Sequence, residues 1–438
     1  MDDEPPRTRL EQVMSHRHMT VKDMISRVVS ITGQEMSERQ GYRWMVGEVR
    51  SLPYAHARAA LEEIFGESVE RLFGPAHGSG LVQQSPIVHA GSFPSYPERH
   101  EWRRKVIALS AMRARDFLRR TEVPNVGPET INQLADDIRA LTVRYQQEPL
   151  ETLLADMSHA QEQAFFLLEG RQKPAQTREL YLLAGVSSGL MARASHDTGS
   201  ADDAMVHARA AFSAADNAGH DGLKAWVKGL QSLIAYWARR YNESIKYARE
   251  GFEFTHASRN TAAVWLAAGE ARSLAALGRF EEAQVAVDRA TEARYRVRRD
   301  DLDELGGFCT FTRPRQLYYA AEALAWAGSE KADQAEHIAL EAIDAYERAP
   351  AADRAFGDEA GTRCALAIAR IGRGEYEGAN TAMAEVLELP PPQRTHGIIA
   401  AVEYVEEVLD NVSVDTKSIR ELGDSMRAFS SQPLALPK

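Results

Sequence analysis

The chain has 438 residues, 44% of them apolar and 26% charged, with a formal net charge of −11. These values fit a globular protein with room for two or three domains. They argue against a surface built to hold polyanions over its whole extent.

From the N-terminus, TRLEQVMSH has the period of a short amphipathic helix. Thr20 is a candidate N-cap for VKDMISRVVSI, and Ser37 for ERQGYRWMV. After Gly47 and the loop EVRSLP come a helix over Ala55–Phe65 and the short SVERLF. Residues 1–73 therefore read as a small helical domain. Residues 5–58 carry nine Lys/Arg against five Asp/Glu, a local charge of +4 in an acidic chain. A basic patch at one end of an acidic protein points toward nucleic acid. Residues 74–97, rich in Gly, Pro and Ser, read as a flexible linker.

Residues 98–430 show helix after helix with no strand alternation, so the fold class is all-α. Five stretches repeat, opening at Ala201, Tyr241, Phe280, Ala332 and Tyr376. Three residues on, each has a small residue (Ala204, Ser244, Ala283, Ala335, Ala379), and nine before, each has another (Ala192, Ser232, Ala271, Ala323, Ala367). Small side chains in phase allow two helices of a pair to approach closely. A pair leaves an apolar face for the next pair to cover, so such units stack. The spacings are 40, 39, 52 and 44 residues, the longest containing an insertion at 294–314. Residues 431–438 read as a frayed tail.

Chemistry-bearing patterns are missing. There is no phosphate-binding GxxxxGK, no GxGxxG after a strand, and no cysteine pair at zinc spacing. His100-Glu101 is followed by Trp102-Arg103-Arg104, not the HExxH pattern. The acidic run Asp300, Asp301, Asp303, Glu304 lacks calcium-loop order and reads as a helix start or solvated loop. Cys309 and Cys364 read as reduced thiols, Cys364 lying in a small-residue column. The expectation is no enzyme, no cofactor and no metal. No apolar run approaches the ~18 residues of a membrane span, and MDDEPPRTRLEQ lacks the apolar centre of an export signal. The expected location is the cytoplasm.

Arg43-Trp44-x-x-Gly47, then Pro53, then Ala60-Leu61-Glu62-Glu63-Ile64-Phe65-Gly66-x-Ser68-Val69-x-x-Leu72-Phe73, resembles the lambda Cro/Xre-like helix–turn–helix family. The resemblance implies a lambda-repressor-like domain whose third helix enters the major groove. Carried over by position, Glu38, Arg39 and Arg43 face bases and Gln40 lies near a phosphate. Arg7, Arg17, Lys22 and Arg50 are phosphate candidates, and Trp44 belongs to the core. Gly41 lies inside the proposed recognition helix, and the stretch around SITGQEM is longer than in phage repressors.

The stretch ARSLAALGRFEEAQVAVDRA resembles a tetratricopeptide helix pair. Residues 126–255 are similar to actinobacterial regulators that fuse an Xre-type domain to a tetratricopeptide sensor. That likeness implies a double-stranded DNA operator, a homodimer, a nucleoid-associated location, and a signal peptide, small molecule or protein in the concave groove of an α-solenoid. In tetratricopeptide register the groove residues are Lys228, Gln231, Glu270, Tyr319, Glu322, Trp326, Arg363 and Arg370. The alternative reading is an interaction adaptor whose N-terminal domain contacts protein and not DNA.

Overall fold

A computed structural model describes residues 7–74 and 125–434, apart from 18, 35, 48–52, 54, 257, 258, 414, 415 and 433, with 107, 110 and 111 between the two stretches. The protein is all-α: the described residues contain helices and no strand element. No described helix is long and apolar enough to cross a membrane. The expected linker, Gly74 apart, lies outside the described residues, as do residues 98–124 save three positions and most of the tail. The chain forms two compact units, Met1–Arg104 and Lys105–Lys438.

The described residues of the first unit form five helices: α1 (Arg9–His16), α2 (Val21–Thr32), α3 (Glu38–Met45), α4 (Ala55–Phe65) and α5 (Val69–Leu72). Local chemistry sets their ends. Thr20 and Asp23 form a reciprocal capping box at α2. Gly33, at φ 65°, closes α2 by donating its N–H to the Val29 carbonyl. The Ser37 hydroxyl accepts the Gln40 N–H at 3.3 Å and starts α3. Leu10, Met14, Met24, Trp44, Leu61, Phe65 and Leu72 fill one core. Trp44 is buried, with its ring 6.3 Å edge-on from Phe73, as expected of a core residue.

Gly41 now has a reason. A Cβ there would lie 2.8 Å from both Ile25 Cδ1 and Val21 Cγ1. The glycine lets α3 lie directly on α2. Its propensity cost of roughly 1 kcal/mol is set against that close packing.

The second unit is built from helix pairs. It opens with α6 (Pro128–Arg144) and α7 (Leu154–Leu168). The pairs are α8 (Pro174–Asp197) with α9 (Ala201–Ala218), α10 (Asp221–Trp237) with α11 (Tyr241–Phe252), and α12 (Ala262–Ala276) with α13 (Phe280–Tyr295). After the short α14 (Asp301–Glu304) come α15 (Arg313–Ala325) with α16 (Ala332–Arg348), α17 (Phe356–Gly372) with α18 (Tyr376–Leu387), and α19 (His396–Asp410) with α20 (Lys417–Ser430). Each of the five repeat anchors is the first residue of the second helix of its pair. Both small-residue columns are buried throughout.

Successive first helices pack by a ring-on-glycine step. A Cβ on Gly189 of α8 would meet the Trp226 ring of α10 at 2.3 Å. One on Gly229 of α10 would meet the Trp265 ring of α12 at 2.8 Å. The insertion at 294–314 folds inward. Phe308 lies 5.2 Å from Trp226, 6.2 Å from Trp265 and 5.7 Å from Tyr145, ring centre to ring centre. Gly307, at φ 51°, runs so close to Thr142 that a Cβ would sit 2.2 Å from its carbonyl oxygen. Two members of the acidic run have structural tasks. Asp300 caps α14 by accepting the Asp303 N–H at 3.1 Å, and buried Asp303 accepts the Thr261 N–H at 3.1 Å. Burial pushes the Cys364 thiol up to about 12, and the Cys309 thiol is also raised.

The array closes on itself. α19 packs against α8. The His396 ring stands 5.6 Å from that of His196, Gly397 lies against Trp237, and Arg239 pairs with Glu407 at 2.6 Å. Its first helices therefore face an interior.

Candidate functional site

In the first unit, α3 separates two kinds of side chain. Gly41 and Trp44 point to the core. Glu38, Arg39, Gln40, Tyr42 and Arg43 are exposed. That follows from the 3.6-residue period: burying 41 and 44 turns 38, 39, 42 and 43 outward. Lys22, on α2, reaches Glu38 at 3.3 Å, and both are mostly solvent-exposed, so the pair is worth little and is easily exchanged. Arg27, exposed on the same helix, adds a cation that sequence position alone did not single out.

Arg17 has a structural task instead of the expected phosphate contact. Its guanidinium donates to the Ile64 and Phe65 carbonyls at 2.8 and 2.9 Å and lies over the Phe65 ring. A cation there satisfies the unpaired carbonyls at the end of α4. Arg50 lies outside the described residues. Arg7 is exposed, and its backbone N–H donates to Glu11 at 2.6 Å.

In the second unit, the eight expected groove residues divide. Five do not line a groove. Lys228 turns to the second helices, pairing with Glu250 at 2.6 Å and lying over the Phe212 and Tyr247 rings. Arg363 makes the same contact three pairs later, to Glu385 at 2.5 Å. Arg370 bridges Glu336 at 2.9 Å and the Gly378 carbonyl at 2.9 Å. Glu270, 2% exposed, is held by Arg249 and Arg289, each at 2.7 Å. Gln231 is buried. In these long units the positions read as concave face the second helices: Lys228 and Arg363 clamp the two helices of their own pair, and Glu270 and Arg370 also tie one pair to the next.

Tyr319, Glu322 and Trp326 do meet inside the ring, around a residue that register did not select. Arg272 is 1% exposed, with its guanidinium 4.1 Å from the Tyr236 ring centre and 3.9 Å from that of Tyr319. Glu322 accepts from Arg272 at 3.0 Å and from the Tyr236 hydroxyl at 2.8 Å. The Trp326 indole N–H donates to the same hydroxyl at 3.1 Å. Burial and the adjacent carboxylate hold the Tyr236 phenol far above its ordinary range, so it stays a donor.

Beside this cluster, between α10, α15, α17 and α19, lies a cavity of ≈ 40 Å³. At ~10–15 Å³ per water it holds about three. Tyr236, Trp237, Tyr318, Trp326 and Tyr404 form its walls, and Cys364, Ala365, Ile368, Ala400 and Ala401 its apolar floor. Tyr404 of α19 stacks on Trp326 with centres 4.0 Å apart and planes 27° apart. Arg239 stands at the edge.

Arg239 is the one non-glycine residue at positive φ among the described residues, at 56°. Its turn is one of five alike among the described residues. Ser200, His220, Arg240, Arg279 and Glu375 each donate an N–H to the carbonyl five residues back, at 2.8, 3.0, 2.8, 3.0 and 2.9 Å. The preceding residue is Gly199, Gly219, Arg239, Gly278 or Gly374, at φ 83°, 65°, 56°, 72° and 76°. This is the helix-ending turn that glycine favours. A side chain there costs ~1–2 kcal/mol, while an exposed ion pair returns only ~0–1 kcal/mol. The sequence signal for this site was therefore an arginine where sibling turns carry glycine.

Comparison with protein-family models and with curated proteins returns no match.

Proposed function

We propose that this chain is a sequence-specific DNA-binding regulator, acting as a homodimer, whose closed helical array senses a ligand. One observation carries the DNA half of the reading: α3 turns Glu38, Arg39, Gln40, Tyr42 and Arg43 outward together. Polar and cationic groups on one short capped helix suit base edges in a major groove, and Lys22 and Arg27 on α2 suit flanking phosphates. An arginine offers two parallel donors to guanine, worth about 1–3 kcal/mol of discrimination. The enclosed, aromatic-lined interior supports the sensing half, since small-molecule sites are concave and mostly apolar with few polar groups.

The test is an electrophoretic shift on DNA from upstream of the chain's own gene. A salt-sensitive, sequence-dependent shift is expected, lost in Arg39→Ala/Arg43→Ala. A folded chain that shifts no DNA and holds a stoichiometric protein partner would instead be an interaction adaptor.

A further inference from the structure

The closing helix α19 places two groups three residues apart against the array wall. The Tyr404 ring stacks on Trp326, and the Glu407 carboxylate takes Arg239 at 2.6 Å. The ring thus lines a cavity with an apolar floor, and the anion takes the arginine that lines it too. The cation they engage sits in a left-handed turn that four sibling turns give to glycine. Stability does not repay that choice, so the side chain is placed for what it touches.

We propose that this cavity is the array's ligand site, and that its ligand is a small flat aromatic molecule carrying one anionic group. The ring replaces Tyr404 beside Trp326, and the anion replaces Glu407 on Arg239. This rests on the sensor half of the reading above. The alternatives fit less well. A cationic ligand finds the neighbouring aromatic faces filled by Arg272, with Glu322 engaged by Arg272 and Tyr236. A peptide is too long for a cavity of this size. A cavity of ≈ 40 Å³ is too small for a ring until α19 withdraws. Ligand and closed ring therefore exclude each other, which gives the difference in affinity between two states that a switch requires.

Calorimetric titration of the full chain tests this, with 2-naphthoate as probe and 2-naphthamide as the same ring without charge. The wild-type chain is expected to prefer naphthoate by about tenfold, the worth of one charge-assisted contact. Arg239→Gly keeps the left-handed turn and is expected to abolish that preference with the thermal melt intact. Glu407→Gln removes the internal competitor and is expected to tighten naphthoate binding. Absence of naphthoate binding at millimolar concentration in both wild type and Glu407→Gln would overturn the proposal. So would a preference that survives Arg239→Gly. Binding is measured without DNA. A chain that shifts its operator but fails these titrations loses this inference alone. A chain that binds naphthoate but shifts no DNA loses only the DNA-binding half.

Discussion

The Trp226 indole fills the space that a side chain on Gly189 would need: a Cβ there would lie 2.3 Å from the ring. In an isolated helix, Gly→Ala gains roughly 1 kcal/mol. Here the methyl must push a buried indole held by Trp265 and Phe308. Overpacking of this kind costs about 1–3 kcal/mol. Gly189→Ala is expected to lower the urea midpoint without changing the slope. A midpoint equal to or above wild type would show that the indole relaxes freely.

At the α3 face, Arg39→Ala and Arg43→Ala are each expected to weaken binding to a preferred operator by about 1–3 kcal/mol and to relax its sequence preference. Lys22→Ala is expected to weaken all sequences alike and to reduce the salt dependence by roughly one unit of slope. Fluorescence anisotropy over a salt series separates the two patterns. Uniform loss in all three variants would assign the arginines to phosphates.

Arg272 and Glu322 are coupled inside the ring at 3.0 Å. Glu322→Ala leaves a guanidinium buried between Tyr236 and Tyr319 without its carboxylate, and is expected to cost about 3–5 kcal/mol. The double change Arg272→Met/Glu322→Leu removes both charges and keeps the volume, and is expected to recover most of that loss. Chemical denaturation of the single and double variants measures the difference. If the double variant is no more stable than Glu322→Ala, the pair contributes more than mutual neutralisation.

His196 is buried, and its ring faces Arg193, Asp197, Arg272 and His396. Burial first, then the nearby cations, hold its pKa well below the ordinary histidine value. The unfolded chain takes up that proton near pH ~6.5, whereas the folded chain does not. Stability is therefore full above that pH and declines as the pH falls below it, by up to about 1.4 kcal/mol per pH unit for one proton. Melting curves from pH 7 to 5.5 are expected to show a shallower decline in His196→Phe than in wild type. Parallel declines would place the acid sensitivity elsewhere.

Helix starts were legible in the sequence wherever a side chain does the work locally. Thr20 and Ser37 cap as their residue types suggest, and the five repeat anchors open their helices. The small-residue columns were legible because close helix approach admits little else. The interior was not. Lys228 and Arg363 read as groove residues in the register of shorter units, and it is the longer helices that pair them with Glu250 and Glu385. Arg272 escaped notice because nothing within its own helix reveals that Tyr236 and Tyr319 bracket it from other helices. Closure of the ring brings together residues such as Arg239 and Glu407, which are 168 positions apart.

That closure also governs how the array comes apart. A linear stack of repeats unravels from its termini, and each lost unit exposes only one new neighbour. Here α19 reaches back to α8 and α10, and Phe308 is lodged against rings from three other helices. Removing any single pair strands apolar surface in several places at once. The helix pairs of the second unit are therefore expected to melt together as one cooperative body, in a single denaturation transition.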